Sequence, residues 1–168
     1  MKASFKLRFP IVLLALLLPA IPLPASRTRL PRFTDFPAGS IYRGKTHSLL
    51  SKYKDSVSKT GVPDAPQRKA DFAGQYIVVE GSCGTGCSSL NVMDARTGEI
   101  YDFEHTIVET HPSDIPKLRY QLASKLLILH GNLDEKESTY GTYYYLFKGN
   151  HFVRLKYVPM RPHKMPVP

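Results

Sequence analysis

Two cysteines separated by three residues are the first candidate for chemistry in this chain. Cys83 and Cys87 are its only cysteines, and they bracket the run Gly84-Thr85-Gly86. In an exported protein such a pair most often forms a disulfide, and glycines allow the unusual backbone dihedrals that so small a ring demands. The C-x-x-x-C spacing differs from the C-x-x-C of thiol–disulfide oxidoreductases, which makes a redox role the weaker interpretation.

A disulfide at this point is open to two interpretations. It could simply close the end of a hairpin, or it could hold a stiff loop that recognises a partner or an anion. A stiff loop loses little conformational entropy when it binds. The candidate binding-loop residues are Ser82, Gly84, Thr85, Gly86 and Ser88.

A short acidic segment supplies the second candidate site. Asp102 and Glu104 alternate along a predicted strand, so they share one face and could bind a cation or act as an acid–base pair. A solvated outer face of a sheet explains the same pattern. His105 falls among apolar residues on the opposite face, which predicts a buried, hydrogen-bonded histidine, and His130 at the end of an apolar run is interpreted in the same way.

Metal binding and nucleophilic catalysis find little support in the sequence. A zinc site needs about four ligands, and the six histidines are scattered without paired spacing. Ser82 and Ser88 lie outside any G-x-S-x-G nucleophile elbow. We therefore expect no metal, no cofactor and no catalytic residue, and the balance favours a protein that is not an enzyme.

The elements that position these residues begin with a predicted helix. Over residues 46–60 the apolar side chains recur at helical spacing, while lysines and an aspartate point away. The sequence therefore predicts one amphipathic helix ahead of the candidate sites. Its apolar positions are Leu49, Leu50, Tyr53 and Val57.

From residue 71 onward the pattern changes to β-strands, rich in β-branched and aromatic residues. Asp94 to Gly98 fits a hairpin turn closed by a left-handed glycine, and Gly149-Asn150 is a two-residue hairpin signal. Alternation places Tyr143, Tyr145 and Phe147 on one face of a predicted strand and Tyr144 and Leu146 on the other, and we expect core on one side and ordinary sheet surface on the other. The fold class is thus a β-rich α+β domain with five to six mainly antiparallel strands, predicted near residues 75–80, 90–94, 99–108, 124–130, 142–148 and 151–158.

The amino terminus has the pattern of a secretory signal peptide. A basic start is followed by an apolar stretch at 11–18 and by prolines before Ala25-Ser26. The stretch is too short for a membrane span, which needs roughly 20 residues. We expect a signal peptide at 1–25, a mobile Pro-containing basic lead-in at 26–45, one domain at 46–158 and an extended Pro-rich tail at 159–168. The protein would then be exported, either periplasmic or secreted, with no stable membrane span after processing.

Charge is unevenly distributed along the chain. The formal net charge is +9, yet residues 71–109 hold seven acidic residues and one basic residue, which is a net −6. The basic flanks could attract an envelope protein or an anionic envelope component. Nucleic acid is a poor candidate partner, because the cations are scattered singly and no recognition motif is present.

Three short motifs occur in a fixed order: F-A-G-Q-Y at 72–76, G-S-C-G-T-G-C at 81–87 and D-A-R-T-G at 94–98. Together they resemble the core of a family of small, uncharacterised exported bacterial proteins, which reads approximately F-A-G-H-Y, G-C-G-T-G-C and D-x-x-T-G. The chain departs from it at Gln75, where histidine is frequent, and at Gly81-Ser82, where Trp-Gly is common. The resemblance implies an exported domain of that family's fold and no particular activity.

These observations lead to three functional hypotheses. The first is a non-enzymatic exported binding module whose stapled loop contacts an envelope partner, for example as an inhibitor or immunity-like protein of a cell-wall hydrolase. The second is a small envelope enzyme or ligand-binding protein that uses Asp102, Glu104 and His105. The third is a purely structural envelope protein.

Overall fold

The fold was examined in a computed structural model, which describes residues 29–53, 64–108, 115–134, 136 and 139–160. The predicted signal peptide and residues 161–168 of the predicted tail lie outside these ranges. The described chain forms eight strands: β1 (Tyr76–Gly84), β2 (Cys87–Asp94), β3 (Ile100–Asp102), β4 (Ile107–Val108), β5 (Leu118–Arg119), β6 (Leu126–Leu133), β7 (Gly141–Lys148) and β8 (His151–Pro159).

All pairings between these strands are antiparallel. The sheet runs in the order β1-β2-β4-β6-β7-β8, with β3 paired to β2 and β5 paired to β6. The predicted antiparallel, β-rich architecture is confirmed, but the strand count is eight instead of five or six. The strand predicted at 99–108 is interrupted at residues 103–106, and the two-residue β5 was not predicted.

An aromatic cluster fills one side of the sheet, and we call it the inner core. The rings of Phe103 and Tyr145 meet edge to face, with centroids 4.9 Å apart, and such pairs add stability beyond the area they bury. Tyr143, Tyr145 and Phe147, which alternation placed together on one face, all lie in this core. Tyr144 on the other face is also buried, so the expectation of ordinary sheet surface there is wrong. The fully and largely buried members of the inner core are Phe72, Ala73, Val78, Leu90, Val92, Phe103, Ile107, Leu127, Leu129, Leu133, Tyr143, Tyr145 and Phe147.

The opposite side of the sheet is also covered, which the sequence did not predict. Phe33 and Phe36 pack on Leu126, Ile128 and Tyr144. Tyr42, Leu49 and Tyr53 pack on the other half of this face, on a cluster formed by Ala65, Ile77, Val79, Met93 and Ala95. Every residue of β6 is consequently buried, as is typical of a strand with both faces covered.

The described part of the expected lead-in, residues 29–45, lies against the sheet. The backbone N–H of Ala38 donates to Ala123, at 2.8 Å, and that of Tyr42 donates to Gly74, at 2.8 Å. Partial burial of Phe33 and Phe36 stabilises the docked position of this segment, because packing an aromatic ring on the sheet removes apolar area from water. Its prolines are compatible with the extended path that it follows.

The predicted helix over residues 46–60 is not confirmed. Helical structure in the described residues is limited to three short 3-10 helices, Phe33–Asp35, Ser51–Tyr53 and Ala65–Gln67. Residues 46–50 instead bond to the turn that follows β2, for example through His47 N–H to Ala95 O at 2.8 Å. Tertiary hydrogen bonds and apolar contacts thus replace the local helical ones there, while residues 54–60 lie outside the described ranges. Among the described residues, no helix is long and apolar enough to cross a membrane.

Two of the three sequence motifs meet at one end of the β1–β2 hairpin. Gln75 Nε2 donates to the buried carboxylate of Asp94, at 2.7 Å, and the N–H of Ala95 donates to Gln75 O, at 2.9 Å. Gly98 closes the predicted turn with a φ of +76°. A methyl group built on it would overlap the Ser48 carbonyl oxygen. The motifs at 72–76 and 94–98 therefore fasten this end of the hairpin to the body of the protein.

This contact leads to a stability prediction for Gly98→Ala. The new methyl group would overlap the Ser48 carbonyl oxygen, and alanine disfavours a positive φ. We expect the free energy of unfolding to fall by about 1–3 kcal/mol, measured by urea denaturation. Gly39→Ala is the matched control, because nothing lies within 4 Å of the added methyl group. Equal stability of the two variants would contradict the docking of residues 46–50 at this turn.

Candidate functional site

The two cysteines lie at the far end of the β1–β2 hairpin and form the predicted disulfide. Their Cα atoms are 5.1 Å apart, within the normal range for a disulfide. Strand pairing continues to Ser82 opposite Ser88 and to Gly84 opposite Cys87, with an irregularity between the two pairs. The covalent bond thus joins the arms of the hairpin where regular pairing stops. A disulfide also fits an exported protein, because it persists in oxidising compartments.

Residues 82–86, which we call the hairpin tip, all lie exposed to solvent. None of them belongs to a buried hydrophobic cluster. A methyl group built on Gly84 would meet nothing within 4 Å. Gly86 turns the chain with a φ of +69°, which glycine adopts without strain. The tip therefore contributes its surface to solvent and takes no part in the core.

The base of the tip is braced from the side. Cys87 pairs with Val108 on β4. The Lys117 ammonium lies 2.8 Å from the Glu80 carboxylate and donates to Ser88 Oγ, also at 2.8 Å. Ser88, predicted as a binding-loop residue, is half-buried and its hydroxyl is engaged by Lys117, whereas the other four predicted loop residues are exposed. In the described part of the chain, neither Ser82 nor Ser88 hydrogen-bonds to a histidine, so no catalytic pair is formed there.

The acidic segment forms a separate site. Asp102 ends β3, Glu104 follows in the break before β4, and both are exposed as predicted. Asp102 lies opposite Asn91 on β2, whereas Val108 lies opposite Cys87. At about 3.4 Å per residue, this places the acidic segment roughly 14 Å along β2 from the disulfide. The sequence left open whether the two candidate sites are one surface, and the structure separates them.

The two predicted histidines differ in burial. His130 is 4 % exposed and lies within hydrogen-bond distance of Thr142 and Tyr140, as predicted. The side chain of His105 is 36 % exposed, so it is hydrogen-bonded but not fully buried. Its Nδ1 lies 2.8 Å from a carboxylate oxygen of Asp134, a residue in the turn after β6 that the sequence analysis did not single out.

A small pocket of about 40 Å³ opens beside the acidic segment. Its walls combine carboxylates, imidazoles and aromatic rings: Asp102, Phe103, Glu104, His105, Tyr145, His151 and Phe152. Within the described residues, no group of three or more histidine, cysteine, aspartate or glutamate side chains could hold a metal ion. Sequence reasoning missed Tyr145, His151 and Phe152 as site residues, because β8 reaches the β3–β4 connection only through the folding of the sheet.

Tyr145 at this pocket has an unusual environment. It is 3 % exposed, and burial raises the pKa of its phenol to about 12. Arg154 lies on β8, directly opposite Tyr145 on β7. Its positive charge acts in the opposite direction and lowers that pKa. No hydrogen bond of normal geometry joins the two, and the Tyr145 hydroxyl has no hydrogen-bond partner. Buried hydroxyl groups are usually paired, so this one is an exception that needs an explanation.

Comparison of the chain with models of protein families, with curated proteins and with solved structures finds no match. The function must therefore be argued from the geometry of these two sites.

The disulfide should make a modest contribution to stability. A ring of this length restricts the unfolded chain by about 2 kcal/mol. We expect Cys83→Ser/Cys87→Ser to lower the free energy of unfolding by that amount, as measured by urea denaturation. Dithiothreitol should destabilise the oxidised protein equally and leave the double variant unchanged. A variant as stable as the oxidised protein would show that the bond does not stabilise the fold.

The environment of Tyr145 predicts a loss of stability at high pH. The unfolded phenol titrates at 10.0 and the folded one at about 12, so the folded state favours the neutral form. The contribution of this pKa difference to the free energy of unfolding is fully present below about pH 10. It is lost as the pH rises toward the pKa of the folded state, by roughly 3 kcal/mol in total. Denaturation curves over this range should show a flatter pH dependence for Tyr145→Phe. An unchanged dependence would assign the loss to other groups.

Proposed function

We propose that this protein is a non-enzymatic exported binding module that contacts a partner protein in the cell envelope through its hairpin tip. The observation that carries the proposal is the isolation of residues 82–86 at the end of a braced and stapled hairpin. They are exposed, they pack in no core cluster, and their conformation is fixed by a covalent bond.

Rigidity favours binding through such a tip. A flexible loop would lose conformational entropy on forming a complex, whereas the disulfide has already restricted this one. Two interactions hold the base of the hairpin to the sheet: the pairing of β2 with β4, and the ion pair between Lys117 and Glu80. A partner that binds the tip therefore meets a surface whose position is fixed by the sheet.

The shape and composition of the tip favour a concave binding surface on the partner. Ser82, Thr85 and three glycine or cysteine positions present backbone N–H groups and small side chains, which can enter a narrow cleft. A cell-wall hydrolase has such a cleft and occupies the same compartment as an exported protein. Inhibition of a hydrolase, or immunity against one, is therefore the concrete form of the proposal.

Thr85→Arg tests the tip directly, by adding bulk and charge at its end. The wild-type and variant proteins, both oxidised, would be used to capture partners from an envelope extract, followed by mass spectrometry. Thr34→Arg is the matched control, since Thr34 is also exposed but lies in a different element. We expect a captured protein whose affinity for Thr85→Arg falls by more than about tenfold, as at a binding hot spot.

The Cys83→Ser/Cys87→Ser variant, checked to be folded, then separates rigidity from contact. Loss of binding in this variant and in Thr85→Arg, with retention in Thr34→Arg, would support the proposal. A captured hydrolase should in addition lose activity when the wild-type protein is added. Equal capture by all four proteins, or no capture by the wild-type protein, would overturn the role of the tip.

A further inference from the structure

The strand order of the sheet ends at β1 on one side and at β8 on the other, and the two ends differ. Strand β1 pairs with β2, and β8 pairs with β7. A strand at the edge of a sheet presents N–H and C=O groups with which another chain can pair, and natural proteins usually cover or block them. The partners of these outward groups therefore show which edge is open.

The outer edge of β1 is closed by residues of the preceding segment. The N–H of Val78 donates to the Asp71 carboxylate at 2.9 Å, and the Arg68 guanidinium donates to Val78 O at 2.8 Å. Arg68 and Asp71 also form an ion pair with each other. Tyr76 and Phe72 exchange two N–H to carbonyl bonds, each at 2.9 Å. The outward backbone groups at Tyr76 and Val78 are thus already used.

Strand β8 points several backbone groups away from β7. In an antiparallel pair, opposed residues alternate between hydrogen-bonded and non-bonded positions. Counted from the two-residue turn that joins β7 to β8, Phe152 and Arg154 occupy non-bonded positions. The bond from Met160 N–H to Tyr140 O, at 3.0 Å, sets the alternation after the irregularity in this pairing and gives Tyr157 a non-bonded position too.

This outer edge of β8 is open in the part of the chain that the structure describes. Within those ranges, no backbone or side-chain group bonds to the outward N–H and C=O groups of Phe152, Arg154 and Tyr157. The neighbouring Val153 and Leu155 are exposed apolar residues. Unused main-chain groups beside apolar side chains are the features that a strand added to a sheet edge exploits.

Charge distinguishes the possible occupants of this edge. Strands β7 and β8 contain Lys148, Arg154 and Lys156 and no acidic residue. Arg154 is exposed and forms no ion pair with any described residue. A second copy of β8 would bring the cations of both copies together, and like charges on facing strands destabilise pairing. A strand with a carboxylate beside Arg154 would instead form an opposite-charge pair.

Other features restrict the strand that could be added. Asp102 and Glu104 line a small pocket with Phe152, so a carboxylate is unfavourable at the start of β8. Leu155 is an extra residue in β8 relative to β7, and Pro159 has no N–H to donate. A bulge and a proline limit pairing to a short segment and oppose open-ended stacking of strands.

We propose that the outer edge of β8 binds an extended segment of a partner protein as an added antiparallel β-strand, with a carboxylate of that segment beside Arg154. The main-chain groups of Phe152, Arg154 and Tyr157 provide hydrogen bonds, while Arg154 and the apolar Val153 and Leu155 select the sequence. This edge lies at the other end of the strand order from the β1–β2 hairpin, so it is a surface separate from the hairpin tip.

Hydrogen exchange measured by nuclear magnetic resonance on the oxidised protein tests this proposal. The probe is a short blocked peptide that alternates valine and threonine, with glutamate in place of threonine in its first half, which an antiparallel strand places near Arg154. One counterpart carries lysine in place of glutamate. The other is methylated on every backbone nitrogen, which removes all of its main-chain donors.

The expected result is saturable binding of the glutamate peptide that protects the N–H groups of Phe152, Arg154 and Tyr157 from exchange. Val153 should change little, because it already occupies a hydrogen-bonded position opposite Leu146. The methylated peptide should bind more than about tenfold more weakly, since several hydrogen bonds are lost. The lysine peptide should also bind more weakly than the glutamate peptide.

A matched pair of variants tests the role of charge. Arg154→Gln should weaken binding of the glutamate peptide by about two- to fivefold, as expected for an opposite-charge pair across strands. Arg43→Gln is the control, because Arg43 is likewise exposed and without an ion pair among the described residues, and it lies outside β8. This control should bind the peptide as the wild-type protein does.

Several results would overturn the proposal. Equal binding of the glutamate and lysine peptides, or equal losses in the two variants, would show that Arg154 does not select a carboxylate. Binding without protection of the outward N–H groups, or no saturable binding, would exclude strand addition. Protection that rises with protein concentration in the absence of peptide would assign the edge to a second copy of the chain. None of these outcomes bears on the hairpin tip, so the two proposals can fail separately.

Discussion

Burial of the sheet on both faces is the constraint on which the rest of this structure depends. The inner core holds buried residues of five strands, and residues 29–53 cover much of the opposite face. Without that cover, Leu126, Ile128 and Tyr144 would be exposed to water. Removing this apolar area from solvent is the main force that orders the amino-terminal segment. The covered sheet then serves as a rigid platform for both candidate sites.

The two ends of the β1–β2 hairpin lie in different surroundings. At one end, the hydrogen bond between Gln75 and the buried Asp94 joins the motifs at 72–76 and 94–98 to the body of the protein. At the other end, the disulfide fixes a tip that packs on nothing. The motifs at 72–76 and 94–98 therefore have a structural explanation, whereas the exposed residues of the cysteine motif pack in none of the buried clusters. This contrast is the reason the tip carries the functional proposal.

The break between β3 and β4 shows how a defect in a ladder can create a site. A continuous strand would have placed Asp102 and Glu104 on one flat, solvated face, which is the bland interpretation of their pattern. Because Phe103 turns into the core, the two carboxylates instead border a concavity that β8 completes. Irregular strand geometry is often found next to binding sites for this reason. The acidic segment thereby gains the aromatic surroundings that a run of charges alone does not provide.

Local chemistry is what the sequence by itself determined. The five-residue ring closed by the two cysteines, the Gly98 turn, the Gly149-Asn150 hairpin and the alternation around Tyr143 to Phe147 all act over a few residues, and each appears in the structure. Tertiary contacts decided the rest. Residues 46–50 have a helical pattern, but the N–H groups of His47 and Leu50 bond to the turn after β2, and Leu49 packs on the sheet. The pocket likewise joins residues from β3, β7 and β8, because strand order depends on the burial of the whole sheet and no local pattern encodes it.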